Sequence, residues 1–201
     1  MRMLLGLLLL IMLGGCVSVA KVETGDCAIG ERMAVTLDGA WNKVSMPNQG
    51  PAEIWTMEGM PVDQLLLYSG IKNDQVVHAE PAGAANAQRK SFRFRSNMQP
   101  DDIVSMFEGM LTRDGSRFKL VKLEPTPFGG LKGFRFDFGL TRKIDNVQLK
   151  GMGYGVVSKD ELFAIVYMAP QLAFFPRHVA KVEQIGRSAR IREGPAVAKA
   201  Q

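Results

Sequence analysis

Apolar positions recur with period two along most of this chain and with period 3.6 in two places only. Met33, Val35 and Leu37 alternate within Glu31 to Leu37, which predicts a strand, and Asp38-Gly39 is a turn signal. Val44-Ser45-Met46-Pro47 leads into a loop rich in proline, asparagine and glycine. Ala52 to Met57, carrying Ile54 and Trp55, predicts a second strand. Gln64 to Ser69 is apolar on both faces, as expected of a central strand. His78 to Gln88, built around Pro81, Gly83 and alanines, lacks both caps and strand formers and reads as a loop. Ser91-Phe92-Arg93-Phe94-Arg95 then alternates strictly, which predicts both phenylalanines inward and both arginines outward.

The first helical period follows. Pro100 suits an opening position, and Asp101 and Asp102 sit where the helix dipole favours negative charge. Ile103, Met106, Phe107, Met110 and Leu111 form one apolar stripe, and Asp114-Gly115 ends the helix. Phe118 to Glu124 predicts a strand stopped by Pro125-Thr126-Pro127-Phe128-Gly129-Gly130. In the next strand Phe134, Phe136, Phe138 and Leu140 share a face, with Arg135 and Asp137 turned away. Val147 to Val157 and Leu162 to Met168 continue as strands joined by tight turns, which implies an antiparallel meander. Pro176 can open a last helix to about Ala189, with Val179, Val182 and Ile185 toward the core, and residues 193–201 read as a flexible tail. Strands, helix, meander and closing helix together predict an α+β domain over residues 31–192, an antiparallel sheet with helices packed on it.

The N-terminus carries a different signal. Arg2 precedes a ten-residue apolar run, Leu4 to Leu13, broken only by Gly6. That length matches the apolar core of a secretory signal and falls short of the roughly 20 residues needed to span a bilayer. Leu13-Gly14-Gly15-Cys16 closes it and resembles the lipobox of bacterial lipoprotein precursors. The resemblance implies that Leu13, Gly14 and Gly15 are read by the signal peptidase, that the chain is cut before Cys16, and that Cys16 carries diacylglycerol and acyl groups. The competing readings are an ordinary secretory signal followed by a coincidental cysteine, and an uncleaved anchor, for which the apolar run is short. On the lipobox reading, residues 1–15 are a signal peptide. Residues 16–30, which show no apolar period, are a lipidated N-terminus and tether.

Cleavage there leaves 186 residues and, with only Arg2 lost, a net charge of +4 instead of +5. A domain of that size buries roughly 70% of its unfolded surface and needs no covalent staple. The charge is too small for a dedicated nucleic-acid binder. Two cysteines exclude a disulfide-stapled scaffold and any all-cysteine zinc site. Cys27 becomes the one remaining thiol. It is either a small residue near the tether or a group able to pair between molecules.

No catalytic set is visible. Gly151-Met152-Gly153-Tyr154-Gly155 lacks the third glycine of a dinucleotide fingerprint and lies inside a strand. Its glycines instead strip one strand face of side chains, so that a helix of the same chain, another chain or a ligand can approach closely. There is no Gly-x-Ser-x-Gly elbow, and His78 and His178 have no metal-spaced partner. Asp101 and Asp102 are adjacent in a helix and do not share a face. Arg93 and Arg95 are the best candidate contact: an outward pair at that spacing can grip an anionic headgroup or an acidic partner surface, or simply keep a strand edge solvated. Phe92 and Phe94 point away from them, which argues against nucleic acid.

The early tryptophans, the Pro100 helix, the Gly130-to-Phe138 strand and the closing helix, in that order, resemble the Mog1/PsbP-like sandwich, also used by small DcrB-type envelope lipoproteins. That resemblance implies no shared catalytic residues and no cofactor beyond the lipid on Cys16. The reading is therefore a membrane-tethered, non-enzymatic binding or assembly module whose partner is an envelope protein or an anionic envelope component. The alternative is a small-ligand carrier or sensor with a pocket between sheet and helix. Lipoproteins kept at the inner membrane commonly carry aspartate after the cysteine. Val17 stands there, which points to the periplasmic face of the outer membrane.

Overall fold

The computed structural model describes residues 17–47, 49–78 and 92–192. The chain runs through β1 (Ser18–Val22), β2 (Gly25–Ile29), β3 (Met33–Leu37), β4 (Trp41–Ser45), β5 (Glu53–Thr56) and β6 (Gln64–Lys72) before its first helix, α1 (Pro100–Leu111). Then come β7 (Arg117–Phe128), β8 (Leu131–Thr141), β9 (Gln148–Ser158), β10 (Glu161–Pro170), α2 (Phe175–Ser188) and β11 (Arg190–Ile191). Eight strands form one sheet in the order β1-β4-β5-β6-β10-β9-β8-β7, and three form a second, β11-β3-β2. Each pairing is antiparallel.

The centre of the larger sheet is buried on both faces, which is why Leu65–Tyr68 of β6 and Leu162–Ala169 of β10 show no polar alternation. On one face Leu66, Tyr68, Phe134, Phe136 and Phe138 meet Ile103, Met106, Phe107 and Met110 of α1. On the other, Leu65, Leu67, Tyr154 and Ile165 meet Val35 and Leu37 of the small sheet and Val182 and Ile185 of α2. Arg135 and Asp137, on the β8 face opposite the phenylalanines, lie near α2, where Arg135 reaches Glu183 at 3.0 Å and Tyr154 Oη at 3.4 Å. Burial disfavours the Arg135 charge, but Tyr154, Asp137 and Glu183 outweigh it and hold the guanidinium more firmly protonated than usual.

These observations overturn the expected α+β class. Half of the described residues are strand and 16% are helix, so the domain is mostly antiparallel sheet with two helices. Two misread stretches account for much of the difference. The first is residues 16–30, read as a tether: Ser18–Val22 pairs with β4, and Gly25–Ile29 pairs with β3. β1 is exposed along most of its length, so no apolar alternation marks it; it is ordered through its backbone ladder. The second is Pro125 to Gly130, read as a stop. β7 continues through both prolines because it is the outer strand, where an absent N–H costs no ladder hydrogen bond. The turn comes only at Gly129-Gly130, whose φ values of +62° and +79° suit the tight hairpin between Phe128 and Leu131.

Trp41–Ser45, for which no strand was expected, is β4 and pairs with both β1 and β5; other parts of the pattern reading stand. α1 opens at Pro100, with the Gln99 amide donating to the Asp102 carboxylate at 3.0 Å. Met33–Leu37, the phenylalanine face of β8 and the meander to β10 lie where the periodicity put them. The segment Phe92 to Arg95 keeps its alternation, Phe94 fully buried and Arg93 and Arg95 exposed, yet it makes one isolated bridge to Val76 rather than a strand.

Candidate functional site

Leu13, Gly14, Gly15 and Cys16 lie outside the described residues, as do residues 79–88 of the predicted loop and the flexible-tail assignment for 193–201. Cys27 is described: it sits half-buried in β2, and burial raises its thiol pKa, with the Glu53 carboxylate adding to the effect. A thiol so placed is a poor nucleophile at neutral pH.

Arg93 and Arg95 emerge side by side on the solvent side of a short segment anchored by backbone hydrogen bonds to residues 74–77. Phe94 is the pin beneath them, and Arg93 Nη1 donates to the Asp74 carbonyl at 2.8 Å. Phe92, Arg93, Asn97, Met98, Asp102 and Met106 line an open groove of about 440 Å³ between this segment and α1. It combines an apolar floor with one cation and one carboxylate at its rim, so it is not an anion cage.

The most organised polar cluster is one that the sequence did not suggest. Asp63, buried just ahead of β6, accepts the Thr56 hydroxyl at 2.5 Å and the backbone N–H of Glu58 at 2.8 Å, which fixes the β5–β6 loop. Glu58 then reaches the start of α2, accepting from Arg177 Nη1 at 3.0 Å and lying 2.8 Å from Nε2 of the buried His178. Nearby, Tyr167 is driven far above its usual pKa by burial first and by the Asp63 and Glu58 carboxylates second. No signal could have joined Glu58 to His178, since the pair is 120 residues apart in sequence. The arrangement resembles a base and its orienting carboxylate, but the other ring nitrogen of His178 is buried without a hydrogen-bond partner among the described residues. What the cluster does is staple α2 to the β5–β6 loop.

That staple has a pH signature. The hydrogen bond with His178, then that from Arg177, hold the Glu58 carboxyl below its ordinary value. A depressed carboxyl contributes stability that is present above its unfolded pKa and lost as pH falls through the folded one. Glu58→Gln should therefore lower the melting temperature most near neutral pH, and the gap to wild type should narrow below roughly pH 4.3, the ordinary glutamate value. Thermal melts of both proteins across a pH series check this; a gap that widens in acid contradicts it.

Between the end of α1 and the sheet is a pocket of about 150 Å³, walled by Val62, Leu111, Leu140, Leu149 and Met168 and rimmed by Gln64, Asp114, Ser116 and Arg142. Its polar rim is already committed. Arg142 pairs with Asp145 at 2.6 Å and donates to the Pro61 carbonyl, while Asp114 accepts the Ser116 amide and hydroxyl. Burial alone would raise the Asp114 pKa, yet these bonds bring it below normal. The space over β8 is filled: Phe136 lies 6.3 Å from Phe134, 5.8 Å from Phe138 and 6.0 Å from Phe107, centroid to centroid. The glycines of β9 receive those phenylalanines from the neighbouring strand, not a helix: Gly151, Gly153 and Gly155 stand opposite Phe138, Phe136 and Phe134.

Among the described residues no three histidine, cysteine, aspartate or glutamate side chains are grouped to hold a metal, and no helix is long and apolar enough to cross a membrane. No protein-family model matches the chain, and no curated protein matches it in sequence. Solved structures are similar to it, among them the following two. The solution structure of cyanobacterial PsbP (CyanoP) from Synechocystis sp. PCC 6803 superposes with a TM-score of 0.56 at 9% identity, covering 87% of this chain and 93% of that one. The crystal structure of LpqN, involved in cell envelope biogenesis of Mycobacterium tuberculosis, covers 88% of this chain and 92% of its own at 10% identity. Its TM-score is 0.39. The first comparison shows that the chain has a PsbP-like fold.

Proposed function

We propose that this protein is a lipid-anchored envelope protein whose domain binds or assembles with other envelope components and performs no chemistry of its own. The observation that carries the reading is Leu13-Gly14-Gly15-Cys16 directly behind a ten-residue apolar run and directly ahead of a folded domain. Two or more acyl chains on Cys16 anchor a protein stably where one does so only marginally, at ~0.8 kcal/mol per buried CH₂. Intact-mass analysis of the membrane-extracted protein should show cleavage after Gly15 and a multi-acyl increment, and Cys16→Ala should accumulate as uncleaved precursor. A Cys16→Ala protein processed like wild type contradicts the assignment. Val17 after the cysteine favours the periplasmic face of the outer membrane, so sucrose-gradient fractions should carry the protein with outer-membrane markers.

The partner-facing surface in this reading is Arg93, Arg95 and the adjoining groove. Both arginines are exposed, so alanine at either should change stability by under about 0.5 kcal/mol. The double variant should remain folded by circular dichroism and lose the cross-linked partners that wild type captures in intact envelopes. Undiminished cross-linking removes the arginines from the interface.

A second reading, a carrier or sensor of a small molecule between sheet and helix, is favoured by the 150 Å³ pocket beside Leu111. A void of that size, similar to an engineered cavity that accepts benzene, fits a ligand of few atoms. The filled phenylalanine face leaves it no deeper room.

A further inference from the structure

The large sheet carries one apolar row across all eight strands, and the row is uncovered at one end. In register it runs Val19, Val44, Ile54, Leu66, Val166, Gly153, Phe136 and Leu123. α1 covers its far half through Phe107 over Phe136, and Val44, Ile54 and Leu66 are all at least nine-tenths buried. At β1 the cover stops: Val19 is 63% exposed, and Val17, two residues before it and so on the same side of the chain, is 60% exposed. β1 is also the outer strand, so one of its edges pairs with nothing in the sheet.

The position of that open end relative to Cys16 decides what covers it. Only Val17 separates Cys16 from Ser18, the first residue of β1. Two residues of chain reach at most about 7 Å, no farther than the outer limit of the roughly 5–7.5 Å headgroup layer on one side of a bilayer. A cysteine whose acyl chains are inserted in a bilayer therefore cannot hold β1 away from that bilayer. We propose that the β1 edge of the sheet, through Val17 and Val19, lies in the membrane interface, so that the domain is held in one orientation with β7 and the β8–β9 turn directed away. This rests on the lipoprotein reading above. The valines are of the size and polarity for the shallow apolar layer beneath headgroups, and the free backbone groups of an outer strand remain hydrated there as they could not in the hydrocarbon core.

The test uses the lipidated protein itself. In a Cys27→Ser background, Val19→Cys and Ile144→Cys are each labelled with an environment-sensitive maleimide dye and reconstituted into phosphatidylethanolamine/phosphatidylglycerol vesicles containing lipid spin-labelled near its headgroup. Cys16 is blocked by its thioether, and both labelled positions are exposed, Ile144 by 87%, so neither substitution disturbs the core. Ile144 lies beyond β8, six strands from β1 and so roughly 28 Å along the sheet. The dye at position 19 should lose most of its emission and the dye at 144 little. Equal quenching at both positions, or none at 19 with a cross-linked dimer through β1, overturns the orientation while leaving lipidation intact. An unacylated mass for the same sample instead overturns the anchor, and the orientation with it.

Discussion

Phe136→Ala should remove about 3–5 kcal/mol from the stability of the domain, out of a total that for single domains is usually ~5–15 kcal/mol. Phe136 has no exposed surface, and its ring is enclosed by those of Phe107, Phe134 and Phe138. Burying a phenylalanine is favourable by roughly 1.5–3 kcal/mol, and the remainder of the loss is the cavity. Collapse into that cavity is resisted from both sides. Phe134 and Phe138 are fixed by the β8 ladder, and Phe107 is held on α1, where it also meets Tyr68 at 5.4 Å. Phe107→Ala should cost a similar amount, and Arg95→Ala on the solvent side less than about 0.5 kcal/mol. Urea titrations of the domain beginning at Val17 should shift in midpoint with little change of slope, because the unfolded surface is nearly the same. Phenylalanine variants that unfold with the wild type, alongside an arginine variant that does not fold, would mean that the two faces are reversed.

The face carrying Phe136 was readable from sequence because a half-buried strand writes its burial as alternation. Phe134, Phe136 and Phe138 against Arg135 and Asp137 admit one inward side. α1 was readable for the same reason at period 3.6. The elements that escaped obey other rules. β1 exists through hydrogen bonds to β4 and leaves Ser18 to Lys21 outside the core, so its side chains do not alternate between buried and exposed. β7 looked broken because Pro125 and Pro127 forbid a central strand, but they permit an outer one, and position in the sheet is not written locally. Missing these strands made the helices seem a larger share of the fold than they are. The polar staple at Glu58 was illegible for a further reason: each of its members, Glu58, Arg177 and His178, has an ordinary solvated explanation until the chain folds them together. Arg93 and Arg95 were legible as exposed, but their groove depends on Asn97, Met98 and Asp102, which no pattern linked to them.

Gly153→Ala should also destabilise the domain, although alanine is ordinarily the better strand residue by about 0.5–1 kcal/mol on backbone entropy. The backbone does not forbid the change, since Gly153 is not among the glycines with positive φ. The obstacle is space. A Cβ on Gly153 would stand 2.4 Å from Cε1 and Cζ of Phe136 and 3.1 Å from the Ile165 carbonyl oxygen. The ring cannot swing clear without displacing the phenylalanines stacked on it, and overpacking of this kind costs typically 1–3 kcal/mol, more than the entropy gained. Gly139 provides the contrast: its Cβ would meet nothing nearer than the Leu149 carbonyl at 4.0 Å, so Gly139→Ala should be neutral or stabilising. The decisive measurement is the double-mutant cycle with Phe136→Ala. Removing the ring vacates the space the new methyl needs, so Gly153→Ala in the Phe136→Ala background should cost nothing or recover stability. The resulting coupling should be about 0.5–3 kcal/mol, as expected for residues in direct contact. Additive losses from the two substitutions would mean that Phe136 does not lie over Gly153, and that the glycines of β9 serve some other close approach.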